Sequence, residues 1–151
     1  MTRYTGTWDS DGVAAYLDGA RVPVRLACRT PAERLWMLSL WFRYRDGRIQ
    51  CATAASADVV EYLRASDGVA FEVSTNEPPY RGVRGNGVAT VEPDPEKALL
   101  RSLVERYLGG TDSDLARWLL REDREEVRIR VEPETVYSWD YTDRMRDALG
   151  E

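Results

Sequence analysis

The sequence predicts a mainly β protein, an antiparallel sheet closed into a barrel with a few flanking helices. Three observations lead there. Apolar and polar residues alternate with the two-residue period of half-buried strands in several short segments. Turn signals such as Asp46-Gly47 bring neighbouring segments close enough to form hairpins. Only one long stripe of apolar residues has helical spacing, so strands dominate.

Residues 22–28 alternate, with Val22, Val24, Leu26 and Cys28 on one face and Arg25 on the other, and Pro31 ends that run. Residues 35–45 are apolar on both faces as far as Phe42. A strand of that kind requires a second layer over its outer face, whether a helix, a flat ligand or another subunit. Asp46-Gly47 turns the chain into a strand with Ile49, Cys51 and Thr53 on one side. A short helix follows, with Ser56 placed to cap it, Val59, Val60 and Leu63 as its stripe, and Asp67-Gly68 to stop it. Residues 68–74 form a strand with Val69, Phe71 and Val73 inward. After Pro78-Pro79 a strand carries Gly82, Gly85 and Gly87, which mark a bulge, a bend or a close backbone approach. These glycines enter a strand and open no helix, so they are not a dinucleotide fingerprint.

Asp94-Pro95 then opens the main helix, striped by Leu99, Leu100, Leu103, Val104, Tyr107 and Leu108 and closed by Gly109-Gly110. A second helix gathers Leu115, Trp118 and Leu119. The last strand sets Val127, Ile129 and Val131 against Arg128 and Arg130, and Pro133 must end it, bend it or lie at an edge. About seven strands in near-consecutive hairpins favour closure into a barrel, with lone glycines at its corners.

Composition narrows the function. The 151 residues fit one domain, 1–151. A net charge of −5 makes a poor grip on a phosphate backbone, so no nucleic-acid partner is expected. No apolar run approaches the roughly 20 residues of a membrane helix, and the polar, acidic opening does not read as a signal peptide. The chain has no histidine, which excludes a Ser-His-Asp or Cys-His nucleophile, a His-ligated zinc site and an imidazole base. Cys28 and Cys51 are too few for a four-thiolate site or a disulfide framework and read as buried, reduced thiols of a cytoplasmic protein. Hard chemistry in such a chain belongs to a bound cofactor. Lys97 is the only lysine among 21 basic residues, a bias shared by salt-adapted proteins and by GC-rich genomes.

Five segments in order, LSLWFRYRDGRI, CATAASADVVEYLRASDGV, PPYRGVRGNGVATVE, EKALLRSLVERYLG and VRIRVEPETVYSWDY, resemble the pyridoxamine 5′-phosphate oxidase-like family of FMN-binding split barrels over residues 22–141. The resemblance implies a split β-barrel of antiparallel, Greek-key type, homodimeric, with FMN (in some branches a deazaflavin) in the cleft between subunits. It implies a small oxidoreductase with a small-molecule redox substrate. The ring would lie along residues 38–44, against Leu40, Trp41, Phe42 and Arg43, and the phosphate at Thr53, Ala54 and Ser56. Trp139, with Tyr141, would line the site across the dimer.

One departure matters. Family members commonly carry an arginine and a lysine where this chain has Ala55 and Val59, and Asp58 adds a negative charge beside them. Each lost charge-assisted hydrogen bond is worth about 1.5–3 kcal/mol, so two would lower affinity by about 10²–10⁴. Arg81 and Arg84, then Arg43, are the cations expected to substitute. Two alternatives stay open: a split-barrel dimer that has lost flavin and serves binding or structure, and a deazaflavin-dependent reductase. Pyridoxamine phosphate oxidation itself is not expected, because in relatives it uses a second phosphate grip and a histidine-containing motif. Trp36, Trp41, Phe42 and Tyr44 otherwise read as core and interface, and the pairs Glu122-Asp123 and Glu125-Glu126 as solvated helix-end charges.

Overall fold

The computed structural model describes residues 1–146. Along the chain come β1 (Arg3–Gly6), α1 (Ser10–Gly19), β2 (Val24–Arg29), β3 (Leu35–Leu40), β4 (Arg43–Arg45), β5 (Arg48–Ala54), α2 (Asp58–Ala65), β6 (Gly68–Ser74), β7 (Arg81–Pro93), a 3-10 turn (Pro95–Lys97), α3 (Ala98–Leu108), α4 (Asp114–Leu119), β8 (Glu126–Asp140) and α5 (Thr142–Met145). Strands pair in the order β3-β2-β6-β7-β8-β5-β4, all antiparallel, while β1 joins β8 in parallel. The run β6-β7-β8-β5 is a Greek key.

The ends of this path, β3 and β4, are neighbours in the chain, joined only through Trp41 and Phe42. The barrel is therefore closed at that point by covalent continuity and not by a hydrogen-bonded ladder. This corrects the expectation of one strand over residues 35–45. Phe42 turns its ring fully into the core, and its N–H donates to Tyr107 Oη at 3.3 Å, a bond outside any strand pairing. Among the described residues no helix covers the outer face of β3, where Leu35 and Met37 are 77% and 62% exposed.

Alternation places the core where the pattern puts it. Val24, Leu26 and Cys28 of β2, Ile49 and Cys51 of β5, Val69, Phe71 and Val73 of β6, and Val127, Ile129 and Val131 of β8 are all buried, with Val59, Val60 and Leu63 of α2 packed on them. Burial of this kind is the main stabilising contribution. It also pushes the Cys51 thiol up to about 12, so Cys51 remains a protonated thiol. Asp46 and Gly47 both have positive φ, 54° and 75°, as the tight hairpin turn requires.

Three details depart from expectation. The N-terminal α1 was not anticipated; Asp9 caps it by accepting from the Gly12 N–H at 2.9 Å, and it buries Val13 and Leu17. Ser56 does not cap α2: Ala57 holds the cap position with no side-chain bond, and Ser56 is exposed. Helix α4 buries only Ala116 and leaves Leu115 and Trp118 49% and 55% exposed. At Pro133, of the three outcomes expected, β8 bends: the β7–β8 register shifts between Asn86 and Gly87, and the bulge absorbs the residue without an N–H.

Candidate functional site

The split in the barrel opens onto a groove. Leu40 and Trp41 at the end of β3, Ala52 and Thr53 on β5, Leu100 and Leu103 on α3, and Leu115 and Leu119 on α4 line a space of about 300 Å³. Trp41 stacks flat on Tyr107, with centroids 5.1 Å apart and planes 5° apart, so its indole is a fixed wall. Tyr107 is anchored in turn by donating to the Val22 carbonyl at 3.0 Å. A second recess, about 460 Å³, lies beyond Thr53; Ala54, Ala55 and Ser56 line it on one side and Trp118, Arg121, Asp123 and Glu125 on the other. Arg124 lines both spaces and stands at the border between them. Their volumes suit a small-molecule ligand, for which sites run about 300–1,000 Å³.

Of the residues singled out from sequence, the structure brings Leu40, Trp41, Thr53, Ala54 and Ser56 together around this double space. Phe42 stands behind it as core, under the Arg106 guanidinium at 5.4 Å. Arg43 is held inside by Gln50 Oε1 (2.8 Å) and Ser102 Oγ (3.0 Å); burial, with Arg45 and Arg128 nearby, lowers its pKa. The aromatics of residues 36–44 do not form one cluster. Trp36 packs edge-on against Tyr62 and Tyr44 shares its hydroxyl with Tyr4, while Trp41 lies on Tyr107.

Arg81, Arg84 and Trp139 sit elsewhere. Thr53 pairs with Val127 at the start of β8, whereas Arg81 pairs with Asp140 at its end. Arg81 lies over the Tyr16 ring at 5.8 Å. Arg84 lies on the outer face of the sheet, over Tyr137 at 4.5 Å and Trp139 at 5.4 Å. Within one chain these three do not reach the groove.

The cations that do reach it are Arg121 and Arg124, which sequence reasoning passed over. Both guanidiniums rest on the Trp118 indole, at 4.3 and 5.5 Å. Arg121 Nε pairs with Asp123 Oδ1 at 3.1 Å, and Arg124 Nε donates to Glu126 Oε1. Glu126 is thus no solvated charge: it is buried, and burial pushes its pKa up against the opposing pull of Arg124. The available signal was the spacing Trp118, Arg121, Arg124, three residues apart each time at a helix end.

Strand order and groove together define a split-barrel fold. The chain matches a conserved hypothetical protein of Mycobacterium tuberculosis with a TM-score of 0.73 and 23% identity, covering 93% of this chain and 90% of that one. It matches an F420 reductase at 0.67 and 21%, covering 80% and 93%. An FAD-binding protein of Mesorhizobium loti matches at 0.61 and 20%, covering 87% and 93%. A pyridoxamine 5′-phosphate oxidase-like protein of Listeria innocua matches at 0.64 and 17%, covering 85% and 95%. At these identities the likeness is one of fold. No family model and no curated protein matches the sequence. No described helix is long and apolar enough to cross a membrane.

Proposed function

We propose that this chain binds a flavin-type cofactor, FMN in the first instance, in the groove at the barrel split and acts as a small cytoplasmic oxidoreductase. The observation that carries the reading is the groove itself: an apolar slot walled by Trp41 and four leucines of α3 and α4, with Thr53 and Arg124 in its lining and a polar recess bearing Ser56 and Arg121 on the other side of Arg124. A flavin supplies hydride chemistry, which asks little acid–base help from a chain without histidine. Trp41 and Leu40 would seat the ring and keep water from it, and Thr53 would donate from its hydroxyl toward the polar end. Solved neighbours named for FAD binding and for F420 reduction support a flavin-type ligand.

One observation favours a second reading, a barrel without flavin. At the start of α2, Ala55 offers no charge, Val59 is buried in the core and Asp58 is exposed. Titration of the purified protein with FMN, followed by flavin fluorescence and absorbance, decides between them. Saturable binding at micromolar FMN is expected. A colourless protein indifferent to FMN supports the second reading, and uptake of F420 alone makes the deazaflavin the ligand.

The exposed sheet face is assigned to a second copy of the chain. Across the strands, Met37, Ala27 and Ala70 stand in one row and Ser39, Arg25, Glu72, Arg84 and Tyr137 in the next. The first row is apolar from Met37 to Ala70 and ends in Asn86 and Thr135, and the second carries both signs of charge, so a two-fold axis can pair Glu72 with Arg84. Light scattering at micromolar concentration should give a dimer, and Met37→Asp a monomer; a monomeric wild type removes the assignment.

A further inference from the structure

We infer that the anionic end of the cofactor, a phosphomonoester, is held by Arg121 and Arg124 from the connection between α4 and β8, across the recess from the start of α2. The inference rests on the flavin reading above and names the part of the site that gives it specificity.

The side of the recess formed by residues 54–56, with the start of α2 behind it, cannot supply the charge. Ala55 ends at its methyl group, Val59 points into the core, and Asp58 repels an anion. The facing wall supplies it. Arg124 lines the apolar groove and the recess alike, so its guanidinium borders a ligand seated in either space. Each arginine is oriented by a carboxylate on Nε, which leaves terminal N–H groups for another acceptor: Arg121 gives one nitrogen to the Trp118 carbonyl at 2.8 Å, and no described residue accepts from the terminal nitrogens of Arg124. Two planar guanidiniums held on one indole lose little freedom when they bind an anion bidentately.

The backbone fixes this wall against the other. The Ala55 N–H donates to the Glu125 carbonyl at 2.9 Å, and Lys97 Nζ donates to the Arg121 carbonyl. Asp123 and Glu125 line the recess too and Glu126 pairs with Arg124, so the recess carries no net positive charge and the preference for a phosphate rests on the oriented terminal N–H groups.

The test compares FMN with riboflavin, which lacks the phosphate, by fluorescence titration of the full chain. Wild type should bind FMN about tenfold or more tightly than riboflavin. Arg121→Gln/Arg124→Gln should bring FMN down to the level at which the same variant binds riboflavin. Arg121→Gln alone, which keeps the buried Arg124–Glu126 pair intact, should move the ratio the same way by several-fold, and thermal melts verify that each variant is folded. Equal binding of the two flavins by wild type, or an undiminished FMN preference in the double variant, overturns the assignment while the flavin reading stands. Loss of the preference in Arg81→Ala instead would place the phosphate on β7 and overturn it too. If wild type binds neither flavin, both readings fall.

Discussion

Asp94→Ala should cost about 3–5 kcal/mol of stability, the usual loss when one partner of a buried ion pair is removed. The Asp94 carboxylate is fully buried and does three tasks. Oδ1 accepts from the Leu99 N–H and from the Arg128 guanidinium, both at 3.0 Å, and Oδ2 accepts from the Leu100 N–H at 3.0 Å. It thereby caps α3 from outside the helix, since the residue in the cap position, Lys97, is left-handed and makes no side-chain bond there. Without the carboxylate, two helix N–H groups and an arginine are left buried. Among the described residues Asp94 is the one carboxylate in ion-pair reach of Arg128, whose Nε already lacks a partner. For a chain of this length each kcal/mol shifts Tm by about 2–4 °C, so a fall of roughly 10 °C is expected in thermal unfolding followed by circular dichroism. Asp94→Asn keeps one acceptor and should lose less. A drop under about 1 kcal/mol in the alanine variant would show that α3 is held by its apolar face alone. Because α3 carries Leu100 and Leu103, the variant should also bind flavin more weakly.

How far the sequence disclosed this molecule depends on the kind of interaction. Strands with one buried face were legible because the two-residue period is imposed by the pleat: Val69, Phe71 and Val73 went where alternation puts them. The Asp46-Gly47 turn was legible because few residue pairs tolerate two positive φ values in succession. Helix α1 was missed because only Val13 and Leu17 are buried in a polar stretch. The break between β3 and β4 left no trace either, since Phe42 reads the same in a strand as in the core plug it forms. Around the groove the apolar wall was partly visible, as Leu40 and Trp41 belong to a conspicuous aromatic strand. Its cations were not. Arg121 and Arg124 sit among carboxylates at the end of a short helix, where charges are usually solvated, and only the tertiary contact of Ala55 with Glu125 brings them to the recess.

Gly85→Ala should be nearly as damaging as the loss of Asp94, by the opposite mechanism. A Cβ at this position would lie 2.0 Å from the Thr135 carbonyl oxygen and 2.9 Å from Phe71 Cζ. The first is backbone and the second is a buried ring of the core, so neither can move aside cheaply. To admit the methyl group, β7 must draw away from β8 next to the bulge that accommodates Pro133. Overpacking typically costs about 1–3 kcal/mol, and a clash with main chain should place this variant at the top of that range or above. The entropy gained by replacing glycine, at most about 1 kcal/mol, is too small to offset it. Gly110→Ala is the internal control, because nothing lies within 4 Å of its Cβ, and it should change stability by no more than about 0.5–1 kcal/mol, if anything upward. Equal melting temperatures for the two variants would mean that β7 and β8 can separate at Gly85 without loss. In that case the close approach of the two longest strands would contribute little to the barrel, and the outer face bearing Arg84 and Tyr137 would not be held in the geometry a dimer needs.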